Sequence, residues 1–116
     1  MGLLAKGPIA TILNGQSQSQ EIDLGESQLV GLVMPATWTA ANLTILAASS
    51  PGGTFNPLHD EGGTEITITA AAARQISISS AKLQGARFIK VRSGTSGAPV
   101  NQAADRQIQL LVKDLN

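Results

Sequence analysis

The residues able to do chemistry are few. The chain of 116 residues holds one histidine and no cysteine. Without cysteine there is no thiol nucleophile and no thiolate metal site. A single imidazole, His59, excludes a multi-histidine metal cluster, so a metal would need carboxylates alone, as calcium sites do. The one local acidic cluster is His59-Asp60-Glu61-Gly62-Gly63. It reads either as a calcium or carboxylate site or as a polar loop in which Asp and Gly set the turn geometry, and the turn is the expectation. Serine is plentiful and His59 stands beside Asp60, but adjacency in sequence does not build a triad. The nucleophile elbow Gly-x-Ser-x-Gly is missing, and the nearest string, Gly94-Thr95-Ser96-Gly97, lacks its spacing. Nothing singles out two of the eight acidic residues for glycoside hydrolysis. Neither Gly52-Gly53 nor Gly62-Gly63 leads into the helix and Lys-Ser/Thr pair of a phosphate loop. The expectation is a protein that is not an enzyme, with no catalytic residue, no cofactor and no metal.

Binding is the other way to function. Arg87, Lys90 and Arg92 lie along one short stretch, with Lys90 and Arg92 on one face. They are candidates for contacts to phosphate or to a neighbouring subunit's carboxylates, against the plainer reading of a solvated strand face. Eight basic and eight acidic residues cancel, and no charge run exists. Clustered cations and interleaved aromatics are both missing, so no nucleic acid partner is expected. Charged residues are 14 % of the chain. The resulting Ala/Ser/Thr/Gly-rich surface suits contact with other protein surfaces as well as plain solvent. No apolar run approaches the roughly 18 residues of a membrane span. The apolar part of residues 1–8 is too short for a signal peptide, and Lys6 stands where a myristoylation motif wants Ser or Thr.

The elements that would carry these residues are strands. Residues 65–69, 75–79, 87–92 and 106–112 each alternate polar and apolar side chains, the mark of half-buried antiparallel strands. The alternation places Ile66, Ile68, Ile76, Ile78, Ile89, Val91, Ile108 and Leu110 in the core. Residues 29–34 are apolar on both faces and 43–48 form another central candidate. Residues 9–13 and 20–24 are shorter candidates around the turn Asn14-Gly15. One helical turn is expected over 80–85, and the alanines 70–73 read as a compact connection. Loops are expected at 15–19, 49–53 and 93–105. Trp38, the only tryptophan, reads as a lid where two sheets meet. One domain of this length with such spacing predicts an all-β fold: a single antiparallel β-sandwich of jelly-roll type. Residues 27–116 form its body, and 1–26 form an N-terminal arm with the first strands.

That arm, over about residues 1–20, together with an exposed strand edge, is the expected docking element. Its apolar residues Leu3 and Leu4, then Ile9 and Ile12, flank Gly7-Pro8, which favours an extended path. Extended apolar segments pack on something: on the chain's own sheet, making 9–13 its first strand, or on a neighbour.

Two resemblances add to this reading. Trp38, residues 43–49, Pro51-Gly52-Gly53-Thr54-Phe55 and Ala86-Arg87-Phe88-Ile89-Lys90-Val91 resemble the central stretch of discoidin-type, galactose-binding-like jelly rolls. Residues 34–44, beginning Met34-Pro35-Ala36-Thr37-Trp38, with residues 87–95 and 99–106, resemble small virion proteins of tailed bacteriophages and prophages over about residues 27–112. The second resemblance implies a structural protein of the virion, made in the host bacterial cytoplasm. Its partners would be the major capsid protein or other virion proteins, within a homo-oligomer. A capsid decoration (cement) protein heads the expectations. A neck, tail or fibre accessory protein and a carbohydrate-binding adsorption module are the alternatives. Carbohydrate is the weaker partner, because sugar platforms want exposed Trp or Tyr and the chain has one Trp and no Tyr.

Overall fold

A computed structural model describes residues 4–115. Among the described residues nine strands follow in chain order: β1 Leu4–Ile12, β2 Ile22–Asp23, β3 Ser27–Val33, β4 Leu43–Ala48, β5 Asn56–Pro57, β6 Thr67–Ile68, β7 Gln75–Ser77, β8 Phe88–Ser93 and β9 Arg106–Asp114. They form two antiparallel sheets. The first has the order β1-β9-β3-β7 and the second β2-β8-β4-β5, with β6 also paired to β4. The chain changes sheet at most connections, and its last strand returns between its first and third. That winding is a jelly roll, so the expected sandwich is the fold found. No helix among the described residues is long and apolar enough to cross a membrane.

The core follows the period-two signal. Ile66, Ile68, Ile78, Ile89, Val91, Ile108 and Leu110 are buried, and Ile76 is half-buried against the same cluster. Ile45, Ile89 and Val91 project from the second sheet toward Leu29, Leu32 and Leu110 of the first. β3 is apolar on both faces and lies between β9 and β7 with a register shift between Leu29 and Gly31. Gly31 is needed there: a Cβ at this position would come 2.8 Å from the Ile76 carbonyl oxygen of β7. Trp38 lies half-buried on the core as a lid, its Nε1 donating to the Ala41 carbonyl at 3.0 Å.

Residues 4–12 of the expected arm are built into the first sheet as its edge strand. β1 pairs with β9 from Leu4↔Lys113 to Ile12↔Arg106, with a bulge between Lys6 and Ile9. Gly7-Pro8 therefore bends the strand without ending it, as proline does at sheet edges. Ala10 and Ile12 face inward and are fully buried, which fixes the register. Residues 22–23 likewise join the second sheet beside β8. Leu3 lies outside the described residues.

β5 and β6 occupy one flank of β4, at Leu46↔Pro57 and Leu43↔Ile68. The chain between them makes a small excursion closed by the bridge His59↔Glu65. The strands expected over 65–69 and 75–79 are thus shorter than their alternation, although Ile66 and Ile78 still donate backbone bonds to Leu58 and Val30. The helical turn expected over 80–85 is a 3-10 turn, Ser80–Lys82.

Candidate docking surface

Arg87, Lys90 and Arg92 belong to the second sheet, and each is engaged within the molecule. Arg92 is buried rather than solvated. Its Nη2 donates to Glu65 Oε2 at 2.6 Å and its Nε to Thr44 Oγ1 at 3.0 Å. The other Glu65 oxygen accepts from the backbone N–H and hydroxyl of Ser96, at 3.2 and 3.3 Å. One carboxylate therefore ties β8, the 58–66 excursion and the loop after Gly94 together. Lys90 places its ammonium 4.8 Å from the centre of the Phe55 ring, and Arg87 its guanidinium 4.7 Å from that of Phe88. Long cationic stems cover apolar surface in this way while their heads stay polar. Beneath them Leu46 and Phe88 are buried on the outward side of the sheet. Arg87 also pairs with Asp23 at 3.0 Å. The hydrogen bond from Arg87, then that from the Gly25 N–H, holds the Asp23 carboxyl below its ordinary range. The same bond to Asp23 raises Arg87. The alternation placed Arg92 correctly on the outward face. Its burial comes from Glu65, far away in sequence, which no local pattern announces.

The groups able to do chemistry are engaged elsewhere. Asp60 Oδ1 accepts from the N–H groups of Gly62 and Thr64, at 2.9 and 3.0 Å, so the acidic cluster is a turn closed on its own carboxylate. Ser96 Oγ donates to Glu65, while His59 Nδ1 faces the Pro57 carbonyl at 3.0 Å. Serine, carboxylate and imidazole thus lie near one another without the base-to-hydroxyl contact a triad needs. Among the described residues no group of three or more His, Asp or Glu could hold a metal ion. The aromatics are also occupied. Trp38 is half-buried, Phe55 lies beneath Lys90 and Phe88 is buried.

The outer side of the first sheet is different. Among the described residues the exposed large hydrophobics are Leu4 (67 %), Ile9 (42 %), Leu13 (55 %) and Leu115 (61 %). Two stand on β1, one directly follows it, and one directly follows β9. They string an apolar stripe along a strand pair about 30 Å long, at roughly 3.3 Å per residue. Beside it a groove of about 410 Å³ crosses the sheet, lined by Leu4, Val30, Gly31, Ile76, Leu111 and Lys113 among others. Its floor is bare because Gly31 has no side chain.

The free edge of β1 is half closed. Gln20 turns its side-chain amide onto the strand, accepting from Thr11 N–H at 3.0 Å and donating to the Ile9 carbonyl at 2.8 Å. This copies the bonds of a neighbouring strand and blocks the edge there. Toward Leu4 the clip ends. Gly7 is tied back by Gln109 Nε2 at 2.7 Å, and Pro8 has no N–H to offer.

No family model, curated protein or solved structure matches this chain. The surface is therefore read from its own residues. Of those expected to bind a partner, the structure brings Leu4 and Ile9 together on one edge. It puts Ile12 in the core, Arg92 in a buried pair, and Arg87 and Lys90 over the second sheet. Leu13, Leu111, Leu115, Lys6 and Lys113 join the surface without having been singled out. A signal for Leu111 was present: it is the apolar residue on the side of β9 otherwise made by Gln107, Gln109 and Lys113.

Proposed function

We propose that this protein works by docking onto other proteins and carries no catalytic role. The observation behind this is the stripe of Leu4, Ile9, Leu13 and Leu115 along the β1–β9 edge. Exposed apolar residues scattered singly over a surface need no explanation, but a run of them along one sheet edge marks an interaction site. A small domain gains on two counts when such an edge is covered. Apolar area leaves water at about 25 cal/mol per Å², and an open backbone edge finds partners.

Within that reading we place the protein in a tailed-phage particle, as a capsid decoration protein cementing the head through contacts to the major capsid protein. The ground for the particle is the resemblance of residues 34–44, 87–95 and 99–106 to small virion proteins. A neck, tail or fibre position is the second reading, and copy number separates the two. Sugar adsorption has less support, since each aromatic ring of the described residues is at least half-covered.

The test is quantitative mass spectrometry of purified particles from the protein's source, with wild type and with Leu4→Thr/Ile9→Thr. Threonine keeps strand preference while removing apolar surface. A copy number comparable to the major capsid protein, lost in the double variant, supports decoration. A few copies per particle support a neck or tail position. Absence from particles overturns the virion reading, and unchanged incorporation of the double variant overturns the edge.

A further inference from the structure

We infer that the partner element received by this edge is an extended, acidic strand of a different protein, its apolar side chains alternating with carboxylates. The inference rests on the docking reading above and names the chemistry of what docks.

The ladder supplies the first observation. Leu4 stands opposite Lys113 and Lys6 opposite Leu111. Lys6 and Lys113 are both exposed, and Leu111 is half-buried. Side chains directly opposite on an antiparallel pair share a face, and diagonal neighbours lie about 7–8 Å apart. The four residues make a checkered block of two leucines and two lysines at the mouth of the groove. The ion pairs among the described residues are Arg87–Asp23 and Arg92–Glu65. Neither lysine belongs to one. Two cations at that spacing accept a carboxylate placed between or beside them, while the leucines accept the apolar residues flanking it.

Charge also separates the occupants. A second copy related by a two-fold axis would present the same surface to itself. With the axis at this block, it would bring Lys6 and Lys113 of one copy against the same pair of the other. Like charges juxtaposed across an interface count against that pairing. An acidic segment of another protein meets the same block with opposite sign.

Shape argues for a strand. β1 lies at the end of its sheet, and the Gln20 clip covers only Ile9 and Thr11. The stretch Leu4 to Lys6 is left for added backbone bonds, up to the bulge at Gly7-Pro8. A short added strand would bond there and lay alternate side chains over the checkered block and into the groove. A helix could use the apolar stripe but not the open backbone.

The experiment is a ¹⁵N-resolved NMR titration of the full chain with two synthetic capped peptides. One is Thr-Val-Glu-Val-Glu-Val-Thr, and the other carries Lys in place of both Glu. The acidic peptide is expected to shift the amides of residues 4–7 and 109–113, weakening as salt is raised. The lysine peptide is expected to bind about tenfold more weakly or not at all. Lys6→Glu/Lys113→Glu, two exposed substitutions, should reverse that preference. Equal response to both peptides, no response to either, or shifts confined to the second sheet would overturn the inference. So would a wild-type dimer in analytical ultracentrifugation that Lys6→Glu/Lys113→Glu changes. Particle incorporation distinguishes the two levels of the argument. If Leu4→Thr/Ile9→Thr abolishes it and the charge reversal does not, docking stands and the acidic partner falls. If neither variant affects it, the docking reading itself has failed.

Discussion

The two sheets of this sandwich treat their outer faces in opposite ways. The second sheet covers its own. Arg92 reaches Glu65, Lys90 lies over Phe55, Arg87 lies over Phe88, and Leu46 is buried beneath them. The first sheet leaves Leu4 and Ile9 in water, keeps a groove floored by Gly31, and carries two lysines outside the ion pairs of the described residues. Cations on a strand are therefore poor evidence of a binding face until their partners are known. The three basic residues close together in sequence each have a partner within the molecule. Lys6 and Lys113, which belong to neither ion pair of the described residues, are separated by most of the chain and become neighbours through the β1–β9 ladder.

Removing the latch of the second face should have the largest effect. Glu65→Ala leaves the Arg92 guanidinium buried without its carboxylate, which destabilises by about 3 kcal/mol, the lower part of the range for broken buried pairs. Urea denaturation measures this. A loss under about 1 kcal/mol would mean the cover is not structural, and the contrast between the faces would collapse.

Opening the first sheet's edge should cost less. Gln20→Ala removes two hydrogen bonds to the backbone of β1, an expected loss of about 1 kcal/mol. Amide exchange at Thr11 should speed up, because its N–H loses the only acceptor on that side. Unchanged exchange there would show that the clip does not hold the edge.

Polar substitution of the stripe should barely alter folding. Leu4→Thr/Ile9→Thr is expected to keep stability within about 0.5 kcal/mol of wild type, read by thermal unfolding, while docking is lost. A loss of several kcal/mol would mean these residues belong to the fold rather than to a partner.

The smallest effect concerns the exposed pair on the second sheet. The folded-state pKa of Asp23 is lowered, chiefly by Arg87 and then by the Gly25 N–H. Its contribution is therefore present above the unfolded aspartate range and is lost as pH falls through the folded value. Arg87→Ala should move the Asp23 titration, followed by carboxyl NMR, back up toward the ordinary range. An unmoved titration would assign the shift to Gly25 alone.

Alternation made much of this fold legible in the sequence. Ile66, Ile68, Ile89, Val91, Ile108 and Leu110 are buried where period two puts them, because a strand's faces are fixed by parity. What parity lacks is the state of the outward face. It assigned Arg92 and Lys90 to one side but could not show that Glu65 and Phe55 close over them. The extended path read from Gly7-Pro8 is the one the chain takes. The pair does interrupt the ladder, but with Ala10 and Ile12 buried beyond it the chain continues as an edge strand after a bulge. The proposed docking surface was half visible, through Leu4 and Ile9. Its lysines were not, since their neighbourhood exists only once the first and last strands pair.

On the proposed reading the β1–β9 edge, and not the cation-bearing face of the second sheet, meets the partner. Hydrogen–deuterium exchange of the chain, free and bound to particles, tests it most directly. Binding should protect residues 4–13 and 107–115 and leave β8 and the 58–66 excursion unchanged. Protection centred on Arg87, Lys90 and the excursion, with the edge still exchanging as in the free chain, would contradict it.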